Sequence, residues 1–133
     1  MPSIALKASA AATQTFGKSR RFDGPHPADD LSFMAPRPKR GTGIDYWIVH
    51  PSGSYDDDCE AGKRMAEEYL AYVGKHSTVG NSTLLTCIVR EMIDRAKGGE
   101  EWSGIHVGFL AGINGYAMSM AHMMAAMPKV GAA

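Results

Sequence analysis

The feature that most constrains this chain is a run of residues 104–127, GIHVGFLAGINGYAMSMAHMMAAM, which contains no Asp, Glu, Lys or Arg. At 100° per residue, its glycines fall in the same sector of a helical wheel as Ser119, His122 and Ala126. These glycines are Gly104, Gly108, Gly112 and Gly115. Larger apolar side chains occupy most of the remaining wheel, a pattern that is typical of a buried helix. We therefore predict a buried helix over about 103–126 whose glycine face lets a partner backbone come close.

Two further helices and one strand are predicted before this run. Residues 44–49, IDYWIV, alternate β-branched and aromatic types, which predicts a strand. No comparable strand follows, so it needs a partner either in LSFM, residues 31–34, or in the same strand of another subunit. An N-cap at Ser54 and apolar residues at helical spacing predict helices over about 55–73 and 82–97. The predicted fold class is mainly α: a small three-helix domain with one N-terminal β-strand.

The N-terminal part of the chain has a composition of its own. Residues 1–42 are rich in Pro and Ala, and we predict that they form a flexible basic arm, disordered by itself, which leaves residues 43–133 as the helical domain. Seven basic and three acidic residues give the first forty a net charge of 7 − 3 = +4. The basic clusters within residues 18–40 predict contact with a polyanion or nucleic acid, with the chain's own acidic body, or with a neighbouring copy.

The two cysteines and the N-terminal residues indicate the cellular compartment of the protein. Cys59 and Cys87 form no C-x-x-C arrangement, which favours a reducing compartment, and Lys7 interrupts the apolar stretch that a secretory signal would need. We therefore expect a cytoplasmic protein. Residues 1–22 are rich in Ala and Ser and contain no acid, so an organelle transit peptide is a second, less favoured interpretation.

One stretch allows a catalytic interpretation. DDDCEAGKRMAEEYLAYV places Cys59 in the first turn of a helix, where the dipole favours a thiolate, and HVGFLAGINGYAMSMAH begins forty-seven residues later. In this respect the chain resembles cysteine peptidases of the NlpC/P60 class, which place a DC dipeptide at a helix start and a histidine in a later strand. The resemblance implies that Asp58 and Cys59 match the DC pair and that His106 is the base. From the residues alone, Cys59 as an ordinary small buried residue on the stripe of Met65 and Tyr69 is the favoured interpretation.

The uncharged run also raises a membrane span and a metal site as alternatives. It is long enough to cross a bilayer, but His106, Asn114 and His122 would be penalised in hydrocarbon, so a membrane location is disfavoured. Met118 and Met120 point in different directions from His122 on a helix, so we predict no metal site and no cofactor.

No set of acid, base, nucleophile and metal ligand satisfies both spacing and helical geometry. We therefore expect a non-enzymatic interaction or assembly protein that binds a protein partner and forms a homo-oligomer. The peptidase with Cys59 and His106, and a single-span membrane-associated protein, are the alternatives. The predicted contact residues lie in the strand, on the glycine face and in the arm: Ile44, Tyr46, Trp47, Gly104, Gly108, Gly112, Gly115, Arg20, Arg21, Arg37, Lys39 and Arg40.

Overall fold

The computed structural model describes residues 27–37, 43–77 and 79–128. Its elements in chain order are α1 (Pro27–Asp30), β1 (Ala35–Pro36), β2 (Ile44–Asp45), α2 (Tyr55–Lys75), a 3-10 helix (Val79–Thr83), α3 (Leu84–Lys97) and α4 (Gly104–Ala126). The mainly helical fold class is confirmed. The three long helices begin and end within two residues of the bounds that the sequence predicts.

The starts of α2 and α4 are set by serine caps. The Ser54 hydroxyl accepts a hydrogen bond from the backbone N–H of Asp57, and the Ser103 hydroxyl accepts one from Ile105. Each cap satisfies a donor that the first turn of a helix would otherwise leave free. Three aspartates follow Ser54, at the end where the dipole favours negative charge.

The segment before β2 belongs to the fold. Leu31, Phe33 and Met34 are buried, so the prediction of an unstructured arm reaching residue 42 is wrong for residues 27–37. The apolar surface of these three side chains outweighs the prolines that surround them. The arm predicted over 1–26 lies outside the described residues.

This segment also supplies the strand partner. β1 pairs with β2 in antiparallel register, Ala35 opposite Asp45, and the backbone N–H of Ile48 donates to the carbonyl of Phe33 over 2.8 Å. The partner is thus found in the same chain, next to LSFM. Regular pairing is confined to Ile44–Asp45, so the strand predicted over 44–49 is shorter than expected.

An aromatic cluster forms the centre of the core. Trp47 lies edge-on to Phe33 and to Phe109, with ring centroids 5.6 and 5.1 Å apart, and Tyr69 packs on Phe109 at 6.0 Å. Such edge-to-face pairs contribute about 0.5–1.5 kcal/mol each beyond the area they bury. The cluster joins the N-terminal segment, α2 and α4.

The glycine face of α4 packs on α2 of the same chain. The two helices run parallel, with Gly104 beside Tyr55, Gly108 beside Cys59 and Gly112 beside Ala66. A Cβ on Gly108 would collide with the carbonyl oxygen of Cys59, and one on Gly112 would lie 2.6 Å from the Ala66 methyl group. The close approach was predicted, but its partner is α2, so the prediction that the first three glycines contact another molecule is wrong.

We expect Gly108→Ala to destabilise the fold strongly, because the added methyl group has backbone rather than a flexible side chain in its way. The expected loss in the free energy of unfolding is about 3 kcal/mol or more, measured by chemical denaturation. Gly74→Ala is the matched control, since a Cβ there meets nothing within 4 Å. It should be neutral or stabilise by up to about 1 kcal/mol through helix propensity. Equal losses in the two variants would contradict the close contact.

Candidate interaction surface

The second half of α4 is exposed to solvent. From Asn114 to Pro128 every residue is exposed, including Tyr116 at 52%, Met118 at 64% and Met124 at 66%. We call residues 114–127 the exposed segment. The prediction that α4 is buried along its whole length is therefore wrong for this half, although Gly104, Ile105, His106, Gly108 and Phe109 are indeed buried.

The burial of α4 ends where α2 runs out of small residues. Cys59, Gly62 and Ala66 are the α2 residues that meet the glycine face, and backbones come this close only when both helices present small side chains. The next inward residues of α2 are Tyr69 and Tyr72, which are large. A Cβ on Gly115 would accordingly meet no atom within 4 Å, although the small face continues along α4.

The exposed segment differs in chemistry from the exposed faces of α2 and α3. It contains no Asp, Glu, Lys or Arg, whereas the exposed faces of α2 and α3 carry charged residues of both signs. Its polar side chains are few, and the amide of Asn114 is directed to the sulfur of Met118 at 3.4 Å. Large exposed apolar patches of this kind mark sites that bury themselves against another surface.

The predicted contact residues of the strand lie inside the molecule. Ile44 and Trp47 are buried and Tyr46 is half-buried, so the alternative in which this strand pairs with the same strand of another subunit is wrong. The backbone N–H groups of Tyr46 and Trp47 donate to the Glu91 carboxylate over 3.1 and 3.4 Å, and that carboxylate takes the place of a neighbouring strand. Burial, followed by the neighbouring Cys87 thiol, raises the pKa of Tyr46 to about 12.

The Glu91 carboxylate is buried at the centre of an ion-pair network. Arg95 lies 2.9 Å from it and Arg37 lies 3.5 Å from it, while Arg37 also pairs with Asp45 at 2.6 Å. The bond to Asp45 raises the pKa of the Arg37 guanidinium. Arg37 is thus engaged within the fold and is not a free phosphate contact. The other predicted basic contacts, Arg20, Arg21, Lys39 and Arg40, lie outside the described residues.

His106 serves the fold as a buried hydrogen-bonding group. Its Nε2 accepts from the indole N–H of Trp47 over 3.0 Å, and its Nδ1 lies 3.2 Å from the Ser103 hydroxyl. The backbone N–H of Ser103 is directed to Nδ1 over 3.0 Å, so each ring nitrogen faces a group that can only donate. A neutral imidazole has one acceptor nitrogen, so the ring accepts from either Trp47 or the Ser103 backbone at any one time. Burial lowers the pKa of His106.

The peptidase resemblance requires His106 in a strand with a free ring nitrogen for Cys59. His106 lies in the first turn of α4, and both of its ring nitrogens are in contact with Trp47 or Ser103. The strand that the resemblance implies is therefore absent from this position. Cys59 is half-buried, and its thiol raises the pKa of the neighbouring Tyr55 hydroxyl.

Asp58, the other residue of the DC pair, holds a loop. Its carboxylate accepts from the backbone N–H and the hydroxyl of Ser52 over 2.9 and 2.8 Å, and these bonds lower the pKa of Asp58. Within residues 27–37, 43–77 and 79–128, no group of three or more His, Cys, Asp or Glu side chains is placed to hold a metal ion.

The single-span alternative is not supported by the helices that the structure describes. None of them is both long enough and apolar enough to cross a bilayer, α4 included. Gly, Ser, Asn, His and Tyr lower the mean hydropathy of the run despite its lack of charge.

Comparison with known proteins gives no relative. The chain matches no protein-family model, and neither curated proteins nor solved structures include one with significant similarity to it.

We expect the folded protein to lose stability as the pH falls below about 6.5, the ordinary pKa of histidine. His106 has its pKa lowered in the folded state, so the unfolded chain binds more protons below that pH and unfolding becomes easier. The His106→Gln variant should be less stable at neutral pH by about 1 kcal/mol. Its free energy of unfolding should also change less with pH below the ordinary pKa of histidine, down to the pH at which Asp and Glu side chains begin to protonate. Unfolding curves at a series of pH values test this, and identical slopes in both proteins would contradict it.

We expect Glu91→Gln to lower the free energy of unfolding by about 2 kcal/mol, because two backbone donors and two guanidinium groups lose their charged acceptor. Asp94→Asn on the exposed side of α3 is the matched control and should change stability by less than about 0.5 kcal/mol. Thermal or chemical unfolding compares the two. A small effect at Glu91 would show that the carboxylate does not hold the segment at Tyr46.

Proposed function

We propose that this chain is a small non-enzymatic interaction protein whose contact surface is the exposed segment of α4. The observation that carries the proposal is the exposure of residues 114–127 on a helix without a charged side chain. Burying this surface against a partner would be favourable at roughly 25 cal/mol per Å² of apolar area removed from water.

The way in which the exposed segment is stabilised supports the same proposal. Helices that stay in water commonly carry opposite charges four residues apart, and residues 114–127 have none. A segment of this length is also marginal as an isolated helix. It continues a helix nucleated by the buried half of α4, and a partner would supply the packing that water does not.

The side chains of the exposed segment suit a contact surface. Tyr116 offers an amphipathic ring, and Met118, Met123 and Met124 are flexible side chains with a polarizable sulfur that adapts to a neighbouring shape. Methionine is overused at binding surfaces for this reason.

The sequence supports two further parts of the proposal, a polyanion contact and a cytoplasmic location. The basic residues of 18–40, apart from the engaged Arg37, are a second proposed contact, directed at a polyanion. Cys59 and Cys87 are both free thiols, which fits a reducing compartment, and we propose a cytoplasmic location.

Site-specific photocrosslinking in cells that make the protein tests the proposed surface. Tyr116 is replaced by p-benzoylphenylalanine, and the matched control carries the same replacement at Tyr55, which is 60% exposed at the start of α2 among charged residues. We expect protein adducts from position 116 and few from position 55. Absence of any adduct at 116, or equal adducts at both positions, would contradict the proposed function.

A further inference from the structure

We infer that the partner of the exposed segment is a second copy of this chain, whose own exposed segment packs antiparallel against it. The contact is a stripe of small and polar residues, Gly115, Ser119, His122 and Ala126, which we call the small stripe. This inference rests on the proposed function and adds the identity and register of the partner.

The first argument is complementarity of charge. Residues 114–127 offer no ion pair to a charged surface, so a matching surface must itself be free of charge. In the part of the chain that the structure describes, the exposed faces of α2 and α3 carry Asp, Glu, Lys and Arg, and they do not match. The exposed segment of a second copy has the required chemistry along its whole length.

The second argument is symmetry. In a two-fold contact, residue i of one copy meets residue j of the other, and j then meets i. The small stripe has spacings of four, three and four residues, a pattern that reads the same in both directions. An antiparallel pair centred between Met120 and Ala121 therefore places Gly115 opposite Ala126 and Ser119 opposite His122, each pair occurring twice.

This register accounts for the polar members of the small stripe. Ser119 and His122 would be left without partners if they were buried against an apolar surface, at a cost of about 1–3 kcal/mol for each group. Opposite one another they can form a hydroxyl–imidazole hydrogen bond, once on each side of the two-fold axis. Gly115 and Ala126, which have almost no side chain, let the two backbones come close at both ends of the contact.

The residues flanking the small stripe are also complementary in this register. On one side of the stripe, Met118 lies next to Ala125 of the second copy, a large side chain beside a small one. On the other side, Tyr116 lies next to Met123 of the second copy, a favourable sulfur–aromatic pair.

The size of the contact predicts its strength. One side of a helix about 11 Å across and about 21 Å long presents roughly 400 Å², so two copies would bury roughly 800 Å². Stable interfaces bury about 1,200–2,000 Å², and smaller ones belong to transient complexes. We therefore expect a reversible dimer that dissociates on dilution.

Analytical ultracentrifugation of the full chain over about 1–500 μM tests the dimer. We expect the mass to rise from 14.3 kDa towards twice that value with concentration. Ser119→Glu should raise the dissociation constant on the order of a hundredfold, because two like charges enter the contact. Met124→Glu is the matched control, since it places the same charge on the opposite side of the helix, and it should dimerise like the unmodified chain. A monomer at every concentration, or equal losses in both variants, would overturn the inference.

A mixture of two variants tests the register. Ser119→Glu and His122→Lys should each be mainly monomeric alone, because each introduces two like charges. Mixed in equal amounts they should form a heterodimer, in which the new carboxylate of one copy faces the new ammonium of the other. If the unmodified chain dimerises but the mixture of the two variants forms no heterodimer, the antiparallel register is overturned.

The photocrosslinking at Tyr116 distinguishes failure of this inference from failure of the proposed function. Adducts of twice the chain mass support the second copy. Adducts with other proteins alone would overturn the inference and leave the proposed function standing.

Discussion

The close contact between α2 and α4 is the constraint on which the rest of the structure depends. Parallel helices have aligned dipoles, so electrostatics does not favour this pair, and its stability must come from packing. Packing at backbone distance is available only because Gly108 meets Cys59 without a side chain between them. The same approach brings Phe109 into the aromatic cluster with Trp47, and through that cluster the N-terminal segment joins the helices.

The same contact explains why half of α4 is left in solvent. The small face of α4 continues past Gly112, but the small residues of α2 end at Ala66, and the contact needs both. Gly115 marks the change: it belongs to the same face as Gly108, and no neighbouring atom covers it. The small face of α4 thus has two environments. Its first half packs on α2 of the same chain, and its second half is exposed and is the part that we propose a second copy covers.

Sequence patterns predicted local features well and tertiary features unevenly. Helix bounds and the serine cap at Ser54 depend on neighbours a few residues away, and these were predictable. Burial of residues 114–126 depends on how much apolar surface the other elements can offer, which periodicity within α4 does not contain. The sequence did contain one signal for this exposure. The predicted helices α2 and α3 each have a single apolar face, and together they cannot enclose a helix that is apolar all round.

The contacts of the buried polar residues were not predicted, for a related reason. Glu91 and Arg95 have the four-residue spacing of an ion pair on one helix, and they do pair. The hydrogen bonds from the backbone of Tyr46 and Trp47 to Glu91 join residues more than forty positions apart, which spacing within one helix cannot predict. The buried titratable groups Asp58, Glu91 and His106 all accept hydrogen bonds from the fold, whereas a catalytic site keeps such atoms available for a substrate. The exposed segment of α4 is instead an apolar surface, and it is the surface on which we propose that a partner packs.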